Sequence, residues 1–136
     1  MAATLVVGVT AGLLVPRGPE PTIAPDMTAQ GELAGALEKQ LASAQGDAAV
    51  RVGLTFRGRD GYCRTFNAQD VAGLACRDNG AWKVRMAVAQ DAAPSADYRM
   101  AASGTPPAVL EAAQSLMVGE PLDAEAEAAA ARSGWN

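Results

Sequence analysis

Between residues 50 and 88 the chain repeats one pattern: short runs that alternate apolar and polar residues, each interrupted by turn-forming residues. Val50, Val52, Leu54 and Phe56 alternate with Arg51, Gly53, Thr55 and Arg57. A period of two sends successive side chains to opposite faces, so this run predicts a strand with one buried and one wet face. Arg59-Asp60-Gly61 supplies turn chemistry, and residues 62–67 and 71–77 predict second and third strands about a turn at Gln69-Asp70. Asn79-Gly80 is a strong hairpin signal because both residues tolerate positive φ. It leads into a fourth strand in which Trp82, Val84, Met86 and Val88 share one face. Four short strands joined by tight turns predict an antiparallel meander, with a shorter fifth strand expected at residues 98–102.

The hairpin of strands two and three makes a specific statement about the two cysteines. With the turn at Gln69-Asp70, residues opposite one another have numbers summing to 139, and Cys63 and Cys76 satisfy that sum. Directly opposed cysteines on adjacent antiparallel strands come within bonding range, and a disulfide closing a loop of this length contributes about 3 kcal/mol in the chain-entropy model. The alternative is a pair of small buried thiols in a reducing compartment.

Helical patterns flank the strands. Leu33, Leu37 and Leu41 recur every four residues behind Asp26 and Thr28, both competent N-caps, so a helix is expected from there until Gly46-Asp47. Pro106-Pro107 opens a second helix with Val109, Leu110, Ala113, Leu116 and Met117 on its apolar face, ending at Gly119. After Pro121, Asp123 caps a final Ala-rich helix, with Gly134 at its end and Trp135 free either to pin the terminus or to reach into solvent. Asp123 and Glu127 lie one helical turn apart and read as solubilising acids. The fold class is therefore α+β: a four- to five-stranded antiparallel meander packed with helices from both ends.

Residues 1–15 carry no charge and are followed by Pro16-Arg17-Gly18-Pro19-Glu20-Pro21. A helix of this length spans roughly 22 Å, against the roughly 30 Å of a bilayer's hydrocarbon layer. The run reads as a partial transmembrane helix whose remainder is expected upstream. A secretory signal is disfavoured because no basic residue precedes Arg17 and Leu14-Val15-Pro16 is a poor cleavage site. Gly8, Gly12 and the proline exit disfavour a buried core helix. Thr4, Gly8 and Gly12 form a small face suited to helix pairing, hence a candidate homodimer contact. Residues 16–27, with four prolines, read as a semi-rigid stalk, and residues 28–136 as the folded domain.

Composition narrows the function. The chain has no histidine, which removes the usual general base, the Ser-His-Asp and Cys-His arrangements and the commonest zinc ligand. No phosphate loop, dinucleotide fingerprint or nucleophile elbow is present, so no enzyme, cofactor or metal site is expected. A net charge of −4 argues against nucleic acid. Arg51, Arg57, Arg59 and Arg64 cluster in sequence and read mainly as the solvated face of the sheet.

The chain resembles the extracytoplasmic half of alphaproteobacterial transmembrane anti-sigma factors. The carrying residues are Gly12-Leu13-Leu14-Val15-Pro16-Arg17 leading to Ile23-Ala24-Pro25-Asp26, then 33–41, Val52-Gly53-Leu54-Thr55-Phe56, Tyr62-Cys63-Arg64-Thr65-Phe66, Gly73-Leu74-Ala75-Cys76-Arg77 and Trp82-Lys83-Val84-Arg85-Met86, with the tail Gly119-Glu120-Pro121-Leu122-Asp123 and Trp135. The resemblance implies a single-pass inner-membrane protein with its folded domain in the periplasm. That domain would regulate an extracytoplasmic-function sigma factor held by a cytoplasmic segment not contained in these residues. An envelope regulatory protein or protease is the implied partner. The competing expectation is a membrane-tethered periplasmic binding or scaffold module unrelated to sigma regulation.

Overall fold

The computed structural model describes residues 21–68, 70–90 and 105–136. The partial transmembrane helix, its Thr4, Gly8 and Gly12 face and the fifth strand at 98–102 all lie outside the described residues. No helix among the described residues is long and apolar enough to cross a membrane.

Four strands, β3 (Arg51–Arg57), β4 (Tyr62–Asn67), β5 (Val71–Asp78) and β6 (Ala81–Ala89), form an antiparallel sheet in chain order. Asn79 and Gly80 join β5 to β6 with φ of 50° and 80°, between paired Asp78 and Ala81. Two positive φ values in a two-residue loop match the right-handed twist of the strands, which is why Asn-Gly works here. Two short strands, β1 (Pro21–Ile23) and β2 (Ala29–Gln30), form a hairpin ahead of helix α1 (Gly31–Lys39). Helices α2 (Pro107–Leu116) and α3 (Ala124–Arg132) complete the element order.

The first helix starts later than its cap signals suggest. Asp26 Oδ1 accepts the Thr28 N–H at 3.2 Å, the Ala24 N–H donates to the Thr28 carbonyl, and Met27 takes a φ of 65°. Asp26 thus closes the β1–β2 turn, a role that Asp fills as readily as a helix cap. At the other end the helix stops at Lys39 with Gln40 extended, because Gln40 and the residues after it run back to meet β3.

Both faces of the sheet are covered. Val50, Phe66, Ala75, Trp82 and Val84 pack with Leu33, Ala36 and Leu37 of α1 and with Ala130 and Trp135 from the C-terminal segment. On the opposite face Phe56, Cys63, Leu74 and Cys76 pack with Val109 and Ala113 of α2. Leu33, Leu37, Phe56, Phe66, Leu74 and Val109 are fully buried. Each large apolar side chain buried this way contributes about 1.5–3 kcal/mol.

The single wet face expected of β3 and β6 is replaced by a face switch within each strand. In β3 the register shifts between Val52, opposite Phe66, and Thr55, opposite Arg64. In β6 it shifts between Met86, opposite Leu74, and Val84, opposite Ala75. A β-bulge adds one residue and inverts the parity of everything beyond it. Val50 and Val84 accordingly join the α1 side, while Leu54 and Met86 join the α2 side. At the first bulge the Leu54 N–H donates to Thr65 Oγ1 at 2.8 Å, so the displaced backbone donor keeps a partner.

Edge strands are masked by local contacts. Gln45 donates to and accepts from the main chain of Val52, and Gln40 Nε2 donates to the Val50 carbonyl at 2.8 Å. Farther along β3, the N–H groups of Val118 and Leu122 donate to the carbonyls of Arg57 and Thr55. On β6 the Val84 N–H donates to the Met27 carbonyl. Such cover blocks the edge-to-edge association that a bare strand invites.

Candidate functional site: a buried arginine at the helix–sheet joint

Tyr62, Arg64 and Phe66 alternate on the α1 side of the interior strand β4, so Arg64 faces the core. Its side chain is fully buried, which corrects the reading of this residue as part of a solvated face; Arg51, Arg57 and Arg59 are exposed as expected. The five guanidinium N–H groups find acceptors. Nε donates to Thr55 Oγ1 at 3.0 Å, Nη1 to the Leu37 and Ala36 carbonyls at 2.7 and 3.4 Å, and Nη2 to the Gln40 carbonyl at 2.6 Å and Glu127 Oε2 at 3.1 Å. Three of these acceptors are carbonyls at the C-terminal end of α1 or of its cap Gln40, the negative end of the helix dipole; the Ala36 carbonyl also accepts the Gln40 N–H at 2.9 Å, whereas the Leu37 and Gln40 carbonyls lie beyond the last helical bond. Arg64 is therefore the C-cap of α1, supplied from the sheet. Burial pushes its pKa down while the Glu127 carboxylate pushes it up; an arginine so placed stays protonated.

Glu127 is likewise buried, correcting its reading as a solubilising acid. Its Oε2 also accepts the Thr55 hydroxyl at 2.6 Å, and Oε1 accepts the Ala42 N–H at 2.7 Å. Asp123, one turn earlier, does cap α3, accepting the Ala126 N–H at 2.8 Å.

The last residues lock onto the same point. Gly134, at φ 73°, donates its N–H to the Ala131 carbonyl, and the Trp135 N–H donates to the Ala130 carbonyl at 2.9 Å. This Schellman arrangement turns the chain back so that the residue after the glycine packs onto the helix end. Trp135 is 3% exposed, donates its indole N–H to the Glu38 carbonyl at 2.8 Å, and meets Tyr62 and Trp82 edge-on at 5.7 and 5.4 Å between centroids. The Arg64 guanidinium lies 4.7 Å from the Trp135 ring centroid. Glu38 also receives the Trp82 indole N–H at 2.8 Å and pairs with Arg77.

A cleft of about 150 Å³ remains beside Glu127, bounded among others by Ala42, Gly53, Leu54, Leu122 and Ala124. Gly53 leaves room for the bulge, since a Cβ there would sit 2.6 Å from Thr65 Oγ1.

Cys63 and Cys76 are opposite each other in the β4–β5 register and form a disulfide with Cα atoms 3.9 Å apart, buried beneath α2. Among the described residues no group of three or more Cys, Asp or Glu gathers as a metal would require.

The sequence held one usable signal for the arginine: it lies between two aromatic residues at i±2, so the face it shares with them is apolar. Nothing local marks Glu127 as its partner, 63 residues away.

Together these features define a class: a small disulfide-bridged α+β domain, its meander enclosed by helices on both faces and its last helix tied to an interior strand by a buried Arg–Glu pair. Compared with protein families, characterised proteins and solved structures, the chain matches none.

Proposed function

We propose that this chain is the extracytoplasmic regulatory domain of a membrane-bound anti-sigma factor, placed outside the inner membrane by the apolar run at residues 1–15. The observation that carries the reading is the Cys63–Cys76 disulfide. Structural disulfides form and persist in oxidising compartments, the bacterial periplasm among them, and the proposed membrane anchor would hold the domain there. The domain works by contact: its buried charges stabilise the fold, and its signal passes to a partner protein and through the membrane segment. This accords with the sequence resemblance, which covers the apolar run, the strands and the closing tryptophan.

The test is affinity capture from a membrane extract of the native-length gene product, extended upstream where the reading frame continues, with mass spectrometry of the bound proteins. A sigma factor in the eluate is the expected result. Envelope proteins alone, from a verified full-length bait, would move the assignment to a periplasmic binding or scaffold module.

A further inference from the structure

The C-terminal segment from Val118 to Trp135 is held in a way unlike the other elements. Only Glu127 and Ala130 of α3 are buried; Ala126, Ala128 and Ala131 are half-buried, with Ala131 against the core, and the other positions face solvent. Its polar attachment is through the Glu127 carboxylate, the Trp135 indole and the two main-chain bonds from Val118 and Leu122 to β3, beside the apolar packing of Leu122, Ala130, Ala131 and Trp135 on the core. The linker crossing from α2 is open, with Val118 55% exposed and Gly119 at φ 82°.

The groups that receive the segment all belong to the body of the domain. Without the segment, Arg64 would keep Thr55 and the Leu37, Ala36 and Gln40 carbonyls, all contributed by α1, its cap and β3. These hold the guanidinium in place with one Nη2 proton aimed at the position of Glu127 Oε2. The Thr55 hydroxyl and the Ala42 N–H point to the same carboxylate. Three fixed donors, one of them charged, make a carboxylate receptor whose ordering cost is already met before the ligand arrives. Tyr62, Trp82 and the Glu38 carbonyl form a matching seat for an indole. The resident segment fills this surface incompletely, leaving the cleft beside Glu127.

We propose that the groove around Arg64 is a peptide-binding site, occupied in cis by the chain's own C-terminal segment. It is open in trans to a helical peptide carrying a carboxylate eight residues ahead of a tryptophan, as Glu127 stands to Trp135. The cis segment wins because tethering gives it an effective concentration of about millimolar, so a trans peptide enters when the cis hold is weakened. The site stands independently of the sigma-factor reading.

A labelled synthetic peptide of residues 118–136 tests this by fluorescence anisotropy. The full chain carrying Glu127→Gln and Trp135→Ala is expected to bind it saturably, and the wild-type chain roughly tenfold or more weakly. A peptide with Glu127→Gln is expected to lose roughly tenfold or more in affinity for the variant, the scale of one charge-assisted hydrogen bond. Equal binding of the two peptides, or none by a variant that retains its β-sheet circular dichroism, overturns the proposal. A second full-length chain with a protease site inserted at Gly119 covers the case of a variant that does not fold. Cut after folding, it is expected to keep its sheet and exchange its tail for the labelled peptide; collapse of the sheet on cutting overturns the proposal.

Discussion

Arg64 and Glu127 are 0% and 4% exposed at their side chains, and neither charge has water to fall back on. Removing one member of such a pair leaves the other unpaired in a medium that solvates it poorly, at a cost of about 3–5 kcal/mol. Glu127→Ala is expected to lower the unfolding free energy by that amount in urea titration. The joint change Arg64→Met with Glu127→Leu should cost less than Glu127→Ala alone, because it removes both charges and keeps the volume. A double change costing more than the single one would mean that Arg64's bonds to the α1 carbonyls outweigh the stranded charge.

The elements show where close packing sets limits that propensity does not. Gly73 on β5 lies opposite Phe66, and a Cβ there would fall 2.7 Å from Phe66 Cζ and closer still to the Met86 carbonyl. Gly73→Ala is therefore expected to destabilise by about 1–3 kcal/mol, the usual range for overpacking, seen as a lower melting temperature. Alanine normally favours a strand more than glycine does, so a stabilised variant would contradict the packing described. The disulfide joins the same hairpin across 13 positions and lies under α2. Replacing both cysteines with alanine should cost about 3 kcal/mol. A soluble dithiol should reduce the native protein no faster than the protein unfolds, which hydrogen exchange measures separately.

At the scale of the molecule, the front hairpin is fastened to the far edge of the sheet by charge. The Lys83 ammonium donates to Asp26 Oδ2 at 3.2 Å and to Thr28 Oγ1 at 2.6 Å. The Thr28 hydroxyl, the Thr28 N–H and Lys83 together hold the Asp26 carboxyl below the ordinary value of 3.8. A carboxyl with a depressed native pKa stabilises the fold above its unfolded pKa and loses that contribution as the pH falls through the native one. Comparing wild type with Asp26→Asn across pH, the stability difference should be present near neutrality and close in acid. Because Asp26 is exposed, added salt should shrink it. A gap that widens in acid would reverse the assigned sign.

What the sequence determined by itself was local: the positions of the four strands, the Asn79-Gly80 turn, the Asp123 cap and the opposition of Cys63 to Cys76. Each follows from neighbours a few residues apart or from one hairpin's register, where backbone geometry leaves little choice. Only the tertiary structure decided which faces those strands bury. Bulges in β3 and β6 switch parity partway along, and helices on both sides give each parity a core to enter. The same holds for Arg64 and Glu127. A charge reads as exposed when taken alone, since burying it unpaired is prohibitive, and becomes a core residue only when distant chain supplies its acceptors. Those acceptors come from the end of α1, from Thr55 and from a helix 63 residues further on, and only folding assembles them.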